Sequence, residues 1–353
     1  MASEQTRLLL GKDTLPKYFS HTLGAFRAVL ERHWPVRVMS EYDLENADLQ
    51  GIRVLVLPDV RVLSDRSTEV VRRFVKAGAG LVASGGTGLF DANLTRRTNF
   101  SLADLFHADY VASHELKSRE EAVSLWLASP DHPILHDPAI TGQEKTAWRN
   151  PTGPPADRGW LELVAGWTAV KATSGGQVLA LMSTNENQAT VSPGLLASSY
   201  GRGRVVYLPA ELDQAMFFYP NTYISAMLLN AMKWVAQDVP PPVEVDGPLV
   251  LATTFRRQSL QNRVVVHLLN DQSSYGRHSI YQKLQLPGQG LTGPWAVRRE
   301  VIPLHDIKVH CRIPGITKAR QQPENMDLPL TKTSDGIEVT VPRLEMYSLV
   351  VLE

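Results

Sequence analysis

Apolar positions between Gly51 and Asp91 fall into three blocks with different periods. Ile52 to Leu57 is a short, mostly branched apolar run closed by Pro58-Asp59, which suits a strand covered on both faces. Val70, Val71, Phe74 and Val75 then recur at helical spacing while Arg72, Arg73 and Lys76 take the wet side. Ser64 or Ser67 can cap this helix, and a basic last turn and Gly78 end it. Leu81 to Ala83 reads as a second strand. A crossover helix joins parallel strands, so the expected unit is a right-handed βαβ. It closes on Ser84-Gly85-Gly86-Thr87-Gly88, a turn able to bring backbone N–H groups close to a ligand.

Upstream, Phe19, Leu23, Phe26 and Leu30 make a helical stripe that Pro35 terminates. Val36 to Met39 reads as a strand, and Tyr42 to Gln50 as a polar connection. Helix, strand, crossover helix, strand is the rhythm of a doubly wound parallel sheet, flavodoxin-like in type. Downstream, Ser101 to Phe106 is a short helix capped by Ser101, and Thr141 to Gly159 a long Pro/Gly-rich surface loop. Trp160 to Ala172 and Gln177 to Met182 read as a hairpin around Ser174-Gly175-Gly176. Leu195 to Tyr200 and Val205 to Leu208 read as another around Gly201-Arg202-Gly203. A second long helix, Thr222 to Gln237, carries Ile224, Leu228, Ala231 and Val235 on one face, with Asn221 as its cap.

Asp238-Val239-Pro240-Pro241-Pro242 is stiff and short of donors, a domain boundary between residues 1–239 and 243–353. Beyond it the period becomes two. Ile280, Leu284 and Leu286 share a face, as do Ile307 and Val309, and Ile337, Val339 and Val341. With Val264 to Leu269 and Tyr347 to Leu352 these strands predict a C-terminal antiparallel β-sandwich.

Composition narrows the function classes. The 353 residues are 43% hydrophobic and 20% charged, with 36 basic and 36 acidic residues, room for roughly two or three domains. A formal net charge of +0 argues against nucleic acid or an anionic membrane as the main partner. No apolar run reaches the ~20 residues of a membrane helix and no signal-peptide core is present, so a cytoplasmic location is expected. One cysteine, Cys311, excludes a disulfide framework and a multi-cysteine zinc site.

Three stretches then carry a family resemblance: VLVLPDVRVLSDRSTEVVRRFVKAGAGLVASGGTGLFD, YGRGRVVYLPAEL from Tyr200, and the helix YISAMLLNAMKWV. They resemble the class I glutamine-amidotransferase-like domain that follows the catalytic barrel in family 42 β-galactosidases, known as the β-galactosidase trimerisation domain. The C-terminal strands, ending in EMYSLVVLE, resemble the all-β domain of the same enzymes. Those enzymes carry their catalytic carboxylates in an N-terminal (β/α)8 barrel of ~250 residues or more. Here about 50 residues precede the βαβ unit. No catalytic glutamate is therefore carried over, and the chain reads as the non-catalytic rear half of such an enzyme. The partners implied are further copies of the chain, a trimer by analogy, and a catalytic barrel, either encoded separately or part of a longer gene from which this chain is cut, with carbohydrate as the small-molecule class.

Candidate chemistry is sparse. Amidotransferase chemistry needs a cysteine on a strained turn with a histidine base, yet Cys311 lies between His310 and Arg312 in a predicted strand. No G-x-S-x-G occurs, and the glycine-rich turn lacks both the Walker ending and the dinucleotide spacing. A turn required by the fold is its simpler reading, and no cofactor is expected. A small ligand, if bound, would sit at the carboxyl ends of the parallel strands, nearest Asp59, Ser84, Gly85 and Gly86. His132 and His136 have metal spacing, but Pro133 interrupts a helix there and no third ligand is evident, so no metal site is expected. Phe217, Phe218, Tyr219 and Tyr223 rank first as core, second as subunit interface and third as a sugar platform. Two functions follow: an assembly module of a glycoside hydrolase, or a stand-alone hydrolase with its site between the α/β domain and the sandwich.

Overall fold

In the computed structural model, residues 1–47, 49–116, 123–144, 161–184, 191–271 and 301–353 are described. They group into two compact units, Met1–Ala28 with Val38–Pro240, and Val29–Arg37 with Pro241–Glu353.

The first unit opens with helices α1 (Glu4–Leu10), α2 (Ser20–Glu31, whose last residues group with the second unit) and α3 (Glu41–Asn46). The connection expected over Tyr42 to Gln50 thus contains a helix. Its signal is local: Ser40 and Asp43 form a reciprocal capping box. Val36 to Met39 is not a strand; Val36 and Val38 are 43% and 59% exposed, and only Met39 is buried. Alternation without a buried partner strand does not make a ladder.

The central unit forms as its periodicity requires. β1 (Val54–Leu57) leads through α4 (Asp65–Lys76) to β2 (Gly80–Ser84), and the two strands pair in parallel, Val54 opposite Gly80. Ser64 caps α4 by accepting the Ser67 N–H. All five residues of β2 are buried. On one side Leu81 and Ala83 join a cluster with Val71 and Val75 of α4.

The chain continues through α5 (Ala103–Phe106), β3 (Ala108–His114), β4 (Val123–Leu127), α6 (Pro138–Glu144), β5 (Leu161–Leu163), β6 (Trp167–Ala172), β7 (Gln177–Thr184), β8 (Val191–Tyr200), β9 (Gly203–Leu208), α7 (Leu212–Phe218) and α8 (Thr222–Val235). On the other face of β2 the backbone at Gly80 abuts Val235 of α8, where a Cβ would lie 2.5 Å from the Val235 carbonyl oxygen. Seven strands form one mixed sheet in the order β1-β2-β9-β8-β7-β4-β5. The expected doubly wound parallel sheet is therefore realised over three strands only, β1, β2 and β9; the rest pair antiparallel.

Three local expectations fail in this unit. β6 does not pair with β7 as a hairpin: it pairs with β3, while β7 lies between β8 and β4. Adjacency in sequence was the only warrant for the hairpin, and long-range pairing overrode it. Ser101 does not cap α5; its N–H donates to the Gly88 carbonyl and its Oγ accepts from Thr68. Asn221 does stand at the start of α8, but its side chain donates to the Tyr223 hydroxyl instead of capping. The loop expected over Thr141 to Gly159 begins inside α6, and residues 145–160 lie outside the described residues.

The second unit is antiparallel throughout. β10 (Val243–Asp246), β13 (Leu304–Cys311), β17 (Ile337–Leu344) and β16 (Thr331–Lys332) make one sheet. β11 (Leu251–Gln258), β12 (Arg263–Asn270), β18 (Tyr347–Leu352), β14 (Ala319–Gln322) and β15 (Met326–Asp327) make another. The alternating residues meet in one cluster, with Ile307, Val309, Val339 and Val341 from the first sheet against Val264, Val266, Leu268, Val350 and Leu352 from the second. Cys311 is a buried free thiol at the end of β13. The strand expected around Ile280 to Leu286 lies outside the described residues.

Candidate functional site

Three parallel strands end side by side, and the residues just beyond them are Asp59 after β1, Gly85 and Gly86 after β2, and Glu211 after β9. Asp59 and Glu211 both take the left-handed backbone conformation, φ +44° and +46°. That conformation is uncommon for non-glycine residues, aspartate adopting it more readily than glutamate. Here it turns both carboxylates inward, and Asp59 is fully buried with Glu211 5% exposed.

The four residues expected near a ligand are brought together. The Asp59 N–H donates to Ser84 Oγ at 3.0 Å, and the Gly86 N–H donates to Asp59 Oδ1 at 2.8 Å. Gly85 sits at φ +55°, and a Cβ there would lie 2.6 Å from Asp59 Oδ1 and 3.1 Å from Glu211 Oε1. Its carbonyl accepts the Tyr207 hydroxyl at 2.7 Å. The glycine is thus required twice, by its backbone and by the approach of two carboxylates.

Around these four stand residues that the sequence reading did not single out. Arg61 Nε donates to Asp59 Oδ2 and its Nη1 to Glu115 Oε1, each at 2.7 Å. Ser84 Oγ donates to Asp213 Oδ2 at 2.5 Å. His21, in α2, places Nδ1 3.1 Å from Asp213 Oδ1 and Nε2 3.6 Å from Glu211 Oε2 and 3.8 Å from Asp59 Oδ2. Gln214 donates from Nε2 to Ser20 Oγ and accepts the Gly166 N–H.

α2 reaches this cluster on an unexpected face. The residues it buries are Ser20, His21, Gly24, Ala25, Ala28 and, among those that group with the second unit, Val29, while the stripe of Phe19, Leu23, Phe26 and Leu30 is only half-buried. Small residues win because the helix lies against α7: a Cβ at Gly24 would overlap the Asp213 carbonyl.

Burial alone would lower the His21 pKa, but the carboxylates of Asp213, Asp59 and Glu211 outweigh it and hold the imidazole up to about 9. Burial pushes the Glu211 carboxyl above its ordinary range; His21 and Arg61 pull it down, while Asp59 and Asp213 push it further up. At Glu115 burial acts upward too, yet the Arg61 guanidinium holds the carboxyl below its usual value. The cluster therefore favours a charged imidazole facing a carboxyl that resists ionising.

Chemically this is not a nucleophile's setting. Asp213 stands between Ser84 and His21, so no imidazole reaches the hydroxyl to take its proton. Both oxygens of Asp59 are occupied, by Gly86 and by Arg61. At the strand ends, where a small ligand would sit if one were bound, Asp59 and Ser84 are engaged by the protein's own groups.

The remaining candidates separate. Residues 131–137 are turns rather than helix, with Ile134 and Leu135 fully buried. Burial, aided by Arg204, pushes the His132 imidazole down, and among the described residues no group of three His, Cys, Asp or Glu could hold a metal ion. Of the aromatic residues, Phe217 and Phe218 pack edge to face at 5.1 Å, Tyr223 donates to the Glu162 carbonyl, and Tyr219 is 42% exposed. Among the described residues no helix is long and apolar enough to cross a membrane.

Comparison with known proteins fits this architecture. No family model matches the sequence, and no curated protein does. Among solved structures, an α-L-fucosidase (isoenzyme 2) from Paenibacillus thiaminolyticus superposes with TM-score 0.63 at 18% identity over 95% of this chain and 45% of its own. A β-galactosidase from Bacillus circulans sp. alkalophilus gives 0.58 at 13% identity, over 95% of this chain and 38% of its own. A GH42 β-galactosidase from G. stearothermophilus gives 0.56 at 13%, over 95% and 36%. At these identities the likeness is one of fold. The chain spans less than half the length of each of these glycoside hydrolases.

Proposed function

We propose that the chain is the non-catalytic assembly portion of a β-galactosidase-like glycoside hydrolase. In this reading residues 1–239 are an amidotransferase-like α/β domain of the trimerisation type, which mediates self-association. Residues 243–353 are its β-sandwich companion. The observation that carries the reading is the fold match, which takes in 95% of this chain but 45% or less of each enzyme. The internal partners of Asp59 support it: Gly86 and Arg61 hold its two carboxylate oxygens. The partners are further copies of the chain and a catalytic barrel, and the domain would contribute to the wall of that barrel's active site.

One observation favours a stand-alone hydrolase: Asp59 and Glu211 are paired carboxylates in unlike surroundings, the arrangement by which acid and base are set apart. Against it stand their burial and the internal partners that saturate Asp59.

The test is activity of the purified chain on a panel of nitrophenyl glycosides, with mass by light scattering in the same buffer. No turnover together with an oligomeric mass is the expected result. A sharp monomer mass at micromolar concentration overturns the assembly role. Turnover abolished by Glu211→Gln or Asp59→Asn would make the chain an enzyme.

A further inference from the structure

α2 and α7 approach closely, a Cβ at Gly24 overlapping the Asp213 carbonyl. Over its first turns α2 buries Ser20, His21, Gly24, Ala25 and Ala28, and α7 buries Leu212, Asp213, Gln214, Ala215 and Met216. Across this approach His21 faces the carboxylates of Asp213, Glu211 and Asp59, and Gln214 donates to Ser20 Oγ. His21 is fully buried, and its Nε2 has no hydrogen-bond partner, being directed at Glu211 and Asp59 at 3.6 and 3.8 Å. A buried imidazole so placed has only charge attraction on that side, and this attraction vanishes with its proton.

We propose that the cluster is a proton-operated latch: with His21 protonated, the first turns of α2 are pinned across the ends of β1, β2 and β9, and loss of that proton frees them. Every element packed on His21 contributes to its field. Glu211, Asp213 and Gln214 face it from α7 and the turn before it. Asp59 and Arg61 come from the end of β1, and Ser84 from β2 acts through Asp213. Glu115, held by Arg61 and within the field of Lys17, lies beyond. The phenols of Tyr18 and Tyr207, both driven upward by burial, stay neutral through the range in which the imidazole titrates. Once His21 is neutral, its charge no longer offsets the carboxyl groups of Asp213, Glu211 and Asp59, and α2 loses that attraction.

The latch is independent of the assembly role and is read without any substrate or oligomer measurement. In the full chain, the His21 ring nitrogens are followed by NMR from about pH 6 to about pH 10, and amide exchange of His21 to Ala28, corrected for the intrinsic pH effect, is followed alongside. The expected result is an imidazole that stays protonated past the range of exposed histidines, and a roughly tenfold or greater loss of protection in α2 as it titrates. Amides of β12 and β13 should hold theirs through the same interval. An imidazole that titrates in the ordinary range, or one that titrates with no change in α2, overturns the latch. His21→Gln adds a second reading: α2 should be as open at pH 6 as the parent protein is at pH 10, and indifferent to pH. A pH-dependent opening that survives in His21→Gln overturns it equally, and if that variant does not fold the measurement on the parent protein decides.

Discussion

Replacing Asp213 by asparagine removes one charge from the centre of the cluster and changes almost no volume. Asp213 accepts from Ser84 Oγ at 2.5 Å and from His21 Nδ1 at 3.1 Å, and it is the largest of the attractions that keep His21 protonated. Holding the imidazole at about 9 against an ordinary 6.5 corresponds to about 3 kcal/mol in favour of the protonated form. Because the folded value lies above the unfolded one, this contribution is complete below about pH 6.5 and disappears as pH rises through about 9. The upward displacement of Glu211 has the same sign, so the parent protein should lose stability on the alkaline side. Asp213→Asn should then cost about 3 kcal/mol at pH 6. At about pH 10 the cost should shrink to about 1 kcal/mol, the Ser84 hydroxyl having lost its charged acceptor. Urea denaturation of both proteins at the two pH values measures the difference. Equal losses at both pH values would show that Asp213 acts by shape or hydrogen bonding alone and that His21 is not held charged.

Two further substitutions test the neighbouring geometry. Gly85→Ala should destabilise by roughly 2 kcal/mol or more, since it adds left-handed strain to a 2.6 Å contact with Asp59; an unchanged melting temperature would mean that the turn relaxes freely. Tyr207→Phe should cost about 1 kcal/mol, the worth of the bond to the Gly85 carbonyl, because the stack on Phe106 at 4.3 Å is kept. A larger loss, measured by urea denaturation, would place the phenol in the charge cluster itself.

The candidate site was legible in part, for a reason visible in the sheet. The rule that ligands gather at the ends of parallel strands led to Asp59, Ser84, Gly85 and Gly86, because β1 and β2 announce themselves as a βαβ unit. Glu211 and Asp213 follow β9, which does form the expected hairpin with β8 but also pairs in parallel with β2. Seen only as half of a hairpin, β9 offered no reason to look at its carboxyl end. His21 was hidden differently: the larger apolar stripe of its helix pointed elsewhere, and 192 residues separate it from Asp213.

By itself the sequence determined the elements whose signals are local. Periodicity specified α4 and α8, and short apolar or alternating runs specified β12, β13, β17 and β18 of the second unit, since each depends on side chains a few residues apart. Tertiary structure decided what no local pattern contains: that β6 joins β3 rather than β7, that among the described strands the parallel run is β1, β2 and β9, and that Val36 to Met39 is not a strand. It also decided the ionisation of the cluster. A charged imidazole in a dry interior exists only because carboxylates from two other parts of the chain are folded against it, and their field depends on distances that sequence separation does not encode.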